Sequence, residues 1–406
     1  MPTTALEAAQ YARFYSPMAA HWGLDPAVLF LNHGSFGACP TAVLQAQRRL
    51  RDQMEAEPVR FFLREAPALL SRAREAVAAL VGADPEGLVF VDNATTGVNT
   101  ALSVLPLRSG DRLLTTDHAY NACRNALAVT SARAGAEVDV VTLPRLLTAQ
   151  GIIDAVLGAV TPRTRFALID HITSATAAVM PVAPLVAALA AQGVEVIIDG
   201  AHAPGQVDVD VLDLDVAFYT GNLHKWLCGP KSAAFLWVRE DWRAQTRPLV
   251  TSHGHNAEVD AHAAFHTCFD WTGTTDPSPA FCAPAAIATL SGLLPGGLAA
   301  LQARNHEVAV HWQDALVRGL RAEPITADTA LGAMACVRLP AITASLPAST
   351  SPYIHPLQDL LWHQHAIEVP VMKGPCGGDL LRVSAQVYTN PDAIEPLVDA
   401  LRPLLS

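Results

Sequence analysis

Positive charge is scarce in this chain of 406 residues: 27 Lys and Arg stand against 38 Asp and Glu, the net charge is −11, and no basic run occurs. That shortage argues against a nucleic-acid or anionic-membrane surface and leaves a small molecule as the expected ligand. Cysteine is sparse and scattered, at Cys39, Cys123, Cys228, Cys268, Cys282, Cys336 and Cys376, with no C-x-x-C pair. An odd, dispersed set of thiols fits a reducing compartment, not a disulfide framework. The first sixteen residues lack the basic region and apolar run of a secretory signal. The most apolar long segment, 181–198, is broken by Pro184, Gln192, Gly193 and Glu195, so it reads as a helix followed by a strand and not as a membrane span. A soluble, cytoplasmic protein is expected. His253, His255, His262 and His266 match no zinc spacing, and no metal site is expected.

What is present is apolar and alternating. Hydrophobic residues make up 51 % of the chain, enough for a substantial core, and the length predicts one large domain with a smaller one. Short β-branched runs at 87–91, 111–116, 138–143, 164–169, 194–198 and 216–219 alternate with helical stretches, as a doubly wound α/β sheet requires. The predicted division is a helical N-terminal arm over 1–30, a large α/β domain over 31–300, and a small α+β domain over 301–406 on which the arm packs.

The stretch 194–231 organises the rest. Its first strand ends in Asp199 and its second delivers Asn222, His224 and Lys225. Parallel strands end at the edge where α/β proteins bind ligands, so a carboxylate and an amine face one crevice. Such a lysine forms a Schiff base with an aldehyde, and a buried carboxylate holds a pyridinium nitrogen protonated. That is the arrangement used by pyridoxal 5'-phosphate. An ordinary Asp–Lys ion pair is the plainer alternative, but Asp199, His202 and the adjacent His224 and Lys225 together weigh against it.

These residues resemble the class V aminotransferase family of fold-type I pyridoxal phosphate enzymes, where Asp-x-x-His closes one strand and His-Lys closes the next. The resemblance runs from Asn32 to Arg382. Within the family the phrases LNHGSFG, DNATTGVNT, YTGNLHKWLCGPK and LRVSAQVY are most similar to isopenicillin N epimerases. It implies that Lys225 carries the cofactor and acts as base, that Asp199 stabilises the carbanion, and that His202, His224 and Asn222 surround them. Thr95, Thr96 and Gly97, at a helix start that favours anions, would hold the phosphate, although a simple Thr N-cap satisfies the same spacing. Ser174 fits the position facing the ring oxygen. Either His118 or Tyr120 stacks on the ring, and Tyr120 is counted among the catalytic groups. Asn32 and His33 border the substrate, and Arg382 grips its α-carboxylate. Gly273 and Thr274 resemble a segment that reaches across a dimer interface to the other copy's phosphate, which implies a homodimer.

The reaction stays open at this level. Epimerisation of an amino-acid substrate, with the α-proton returned to the other face, matches the nearest resemblance. Carbon–sulfur lyase chemistry, such as that on hercynylcysteine sulfoxide or cysteine, shares the early steps; transamination needs only a different reprotonation. A non-catalytic cofactor-binding module is disfavoured by Asp199, Lys225 and Arg382. Desulfurase chemistry would need a nucleophilic cysteine well before Arg382, whereas Cys376 lies only six positions away.

Overall fold

The computed structural model describes residues 13–375 and 377–406, so the start of the arm and Cys376 lie outside the described residues. A two-residue strand β1 (Leu29–Phe30) precedes a seven-stranded sheet built from β2 (Leu88–Val91), β3 (Arg112–Thr116), β4 (Glu137–Val141), β5 (Thr164–Asp170), β6 (Glu195–Asp199), β7 (Phe218–Asn222) and β8 (Ala234–Val238). Their order is β2-β8-β7-β6-β5-β3-β4. Neighbours among β3 to β7 pair in parallel, and β8 alone is reversed, antiparallel to both β7 and β2. This is the mainly parallel α/β sheet expected from the alternating strands and helices. Its central strands are buried on both faces over nearly all their length, which is why they read as apolar runs and not as alternating ones.

The topology locates the crevice. After β3 the chain steps outward to β4 and then returns to β5 on the other side of β3. Loops leaving β3 and β5 therefore diverge, and a cleft opens at their C-terminal ends. Registers also matter here: Asp170 of β5 stands opposite Asp199 of β6, and Asp199 opposite Thr220 of β7.

The helix Ala94–Ser103 is pinned at its start. Asn93 Oδ1 accepts from Thr96 N at 2.9 Å, and Asn222 Oδ1 at the end of β7 accepts from Ala94 N at 2.9 Å. Its packing requires glycine at 97, where a Cβ would stand 2.1 Å from Thr220 Oγ1. That hydroxyl is itself held on Phe235 O at 2.7 Å and cannot swing aside. Gly97→Ala is expected to lower stability by about 1–3 kcal/mol, overpacking outweighing the gain in helix propensity. A thermal melt that rises or stays level would remove this account of the helix.

A 24-residue helix, Gly297–Leu320, leads from the large unit into a four-stranded antiparallel sheet. That sheet contains β9 (Glu323–Pro324), β10 (Met334–Arg338), β12 (Val371–Lys373) and β13 (Asp379–Ser384), in the order β12-β13-β10-β9. Strand β11 (Ile367–Glu368) pairs instead with β1, in parallel. The segment preceding the large sheet is thus tied to the C-terminal unit, with Tyr15 bridging Thr389 as well. The described part of the arm is less helical than its sequence suggested. Its helical content is chiefly one 3-10 turn, Pro17–His21, because Pro17, Gly23 and Pro26 leave no room for a longer helix. Among the described residues no helix is long and apolar enough to cross a membrane.

Candidate active site

Lys225 follows β7 in a turn held from several sides. Its carbonyl takes hydrogen bonds from Cys228 N at 3.0 Å and from the ring of His33, Nε2, also at 3.0 Å. A Cβ at Gly37 would lie 2.1 Å from His224 O, so the loop before the first long helix presses backbone to backbone on this turn. The amine itself lies 3.0 Å from His202 Nε2. On the other side of that imidazole, Trp226 Nε1 donates to Nδ1 at 3.3 Å. An indole N–H only donates, so Nδ1 is the acceptor. Burial holds the His202 ring well below its ordinary pKa and therefore neutral. Its one proton then sits on Nε2 and points at the amine. This contact suits the free-base form of Lys225, whose lone pair can accept that proton. Burial first, and then the Arg382 charge, lower its pKa to about 8.

The acid side of the crevice holds two carboxyl groups. Asp199 is buried; its Oδ1 accepts from Ala201 N at 3.0 Å and its Oδ2 from the Cys123 thiol at 3.1 Å. Asp170, its register neighbour, is pushed well above the usual carboxylate range by burial and by the Asp199 charge. One oxygen of Asp170, Oδ1, is buried with no hydrogen-bond partner.

His118 is buried, with Nδ1 hydrogen-bonded to Thr176 Oγ1 at 2.8 Å and Nε2 unpartnered. Tyr120, by contrast, is 46 % exposed. Both line a cavity of about 510 Å³ at the β3–β5 crevice, together with Ser174. Lys225 and Asp199 do not line this cavity. Arg382 connects the two regions: it is fully buried, donates to Ser174 O, and reaches Ser35 Oγ at 3.0 Å and Asn32 Oδ1 at 3.3 Å, leaving Nε unpartnered.

Several expected groups are occupied otherwise. His33 is buried with its ring nitrogens on Tyr388 OH at 2.9 Å and on Lys225 O, and burial lowers its pKa to about 3. It supports the lysine turn and offers nothing to a substrate. Thr96 N and Gly97 N are spent on Asn93, whereas no hydrogen bond from the Thr95 hydroxyl to protein is present among the described residues. His224 Nδ1 bonds Ala233 O at 3.0 Å, which fixes the ring. Gly273 is not brought to Lys225 within one chain; it lines a separate cavity of about 470 Å³ with Phe62, Trp271 and Phe281, and Thr274 beside it is exposed.

Comparison with known proteins decides the family. The family described as aminotransferase class-V matches residues 31–333. The chain belongs to the class-V aminotransferase family. Over 391 residues it is 33 % identical to an isopenicillin N epimerase of Streptomyces clavuligerus, covering 93 % of this chain and 95 % of that one. It is 32 % identical to a putative L-cysteine desulfhydrase 1 of Oryza sativa subsp. japonica, covering 94 % and 84 %. Among solved structures, the cystine C–S lyase C-DES in complex with cysteine persulfide superposes with a TM-score of 0.76 at 21 % identity, covering 93 % of this chain and 98 % of that one.

Membership makes this class-V chain a pyridoxal 5'-phosphate enzyme. Its own residues fit that group. Three buried polar atoms at the crevice, on His118, Asp170 and Arg382, have no hydrogen-bond partner, and a bound group with a polar aromatic ring and a carboxylate would offer partners there. Sequence reasoning missed Asp170, Cys123 and Trp226. Asp170 had a readable signal, since it ends its strand as Asp199 ends the next; the other two depend on contacts that no spacing reveals.

Proposed function

We propose that this class-V enzyme removes the α-hydrogen of an amino-acid substrate and returns it on the opposite face, as an epimerase. The carrying observation is the Lys225 amine, buried, 3.0 Å from neutral His202 and with its pKa lowered to about 8. When bound, the cofactor supplies an aldehyde that joins an amine and a ring that accepts the electron pair freed at Cα. Lys225 is tethered where it can take the proton. Asp199 holds a proton on the ring nitrogen, with Cys123 fixing the orientation of its carboxylate. His118, the buried ring, would stack on the cofactor, and Thr95 at the helix start would take the phosphate. Arg382 and Asn32 fix the substrate carboxylate. Tyr120 keeps its phenol proton, because burial and the neighbouring Cys123 and Asp199 raise its pKa, and it faces the cleft as a donor for the second face.

A second reading is a carbon–sulfur lyase, favoured by the plant desulfhydrase relative and by the fold likeness to a cystine lyase. Both readings begin with the same proton transfer. The active unit is proposed to be a homodimer in the cytoplasm, Gly273 and Thr274 of one copy completing the phosphate site of the other.

The test incubates the holoenzyme with L-cysteine, L-cystine and a panel of other L-amino acids in deuterated water. Deuterium at Cα with D-enantiomer formed supports epimerisation; pyruvate with a sulfur product means lyase. Neither exchange nor pyruvate from any of these amino acids would sink both readings.

A further inference from the structure

We propose that Arg124 selects substrates that carry a second acidic group, a carboxylate or similar oxyanion, at the far end of the chain attached to the reacting carbon. The inference rests on the amino-acid chemistry proposed above and names the substrate class for that site.

Arg124 lines the 510 Å³ cavity from the first turn of the helix Asn121–Ala134. The other charged groups on its wall are already engaged. Asp117 Oδ1 accepts from Leu143 N at 3.1 Å and lies 3.7 Å from His118 Nε2. Lys373 is paired with Asp379 at 2.6 Å. Arg124 makes no ion pair among the described residues, and its one side-chain hydrogen bond is a long one of 3.4 Å to Asn121 on its own helix. Its charge nevertheless reaches the crevice floor, where it favours the ionised form of Asp170.

Ser174 also lines the cavity, and its carbonyl accepts from Arg382. One guanidinium, assigned to the α-carboxylate, is thus fixed behind the Ser174 wall of the cavity, and a second, without an anion of its own, lines the cavity itself. A planar guanidinium pairs with a carboxylate through two parallel hydrogen bonds. The cavity volume lies within the range of small-molecule sites, so it has room for a side chain longer than that of cysteine.

The experiment measures dissociation constants on the holoenzyme by calorimetry and by the change in cofactor absorbance. The probes are L-aspartate against L-asparagine, L-glutamate against L-glutamine, and L-2-aminoadipate against L-norleucine. At least one acid is expected to bind about 10- to 100-fold more tightly than its neutral partner, with the preference shrinking as salt is added. Arg124→Gln should collapse that preference to within about 3-fold while leaving the neutral probe unchanged, and Arg124→Lys should retain part of it. Equal binding of acid and neutral probes in the unaltered enzyme would overturn the proposal. So would an Arg124→Gln variant that weakens both alike or shifts the cofactor absorbance without substrate, since Arg124 would then serve Asp170 and Asp199. If no amino acid of either kind binds, the proposed function itself falls, a result distinct from equal binding.

Discussion

Lys225→Ala is expected to lose at least about 10⁴-fold in α-hydrogen exchange, because it removes both the tethered base and the advantage of its fixed position. The long-wavelength absorbance of lysine-attached cofactor should vanish with it. Misfolding is not the expected cause, since the buried amine is bonded to a histidine and anchors no ion pair, and the turn is held through the Lys225 carbonyl, which alanine keeps. The same residue carries a pH signature. A protonated amine cannot attack an aldehyde, and burial lowers this pKa to about 8. Capture of added cofactor by the apo-protein should therefore rise about tenfold per pH unit below that point and level off above it, where an exposed lysine would continue to gain toward about 10.4. A capture rate still climbing at pH 10, or a variant that keeps exchange within tenfold, would remove Lys225 from the chemistry.

The parts of this site legible in the sequence are those fixed by strand endings. Asp199 and Asn222 end β-branched or apolar runs, Lys225 follows three residues later, and Arg382 lies within an apolar strand, so hydrophobic period alone carries them to one edge. Side-chain direction in loops is another matter. His33 sits in a polar, glycine-containing segment that reads as substrate-facing, yet its ring turns inward to Tyr388 and to the lysine turn, a choice made by residues more than 190 positions away. The Asp170–Asp199 juxtaposition depends on the register between two strands, which becomes readable only when both are known to be adjacent and parallel. Gly97 shows the same limit from another side: it reads as a phosphate donor, while the fold spends its amide on Asn93 and its missing Cβ on Thr220.

Asp199→Asn is expected to lower α-hydrogen exchange by about 10²- to 10³-fold, in the range seen when one preorganised electrostatic partner of a reacting group is lost, while leaving the cofactor attached to Lys225. Asparagine keeps the volume and an oxygen for Ala201 N. It loses the negative charge, and its amide turned toward the ring nitrogen presents a donor where an acceptor is needed, so the ring is left unprotonated and a poor store for electrons. Cys123→Ala separates charge from orientation: it removes the thiol that donates to Asp199 Oδ2 but leaves the carboxylate, and exchange should stay within about tenfold of the unaltered enzyme. The contrast between the two variants is the measurement that counts. If Asp199→Asn exchanges within tenfold while Cys123→Ala fails, the ring nitrogen is not held by Asp199, and the buried neighbour Asp170, in register with it, becomes the carboxyl group to replace.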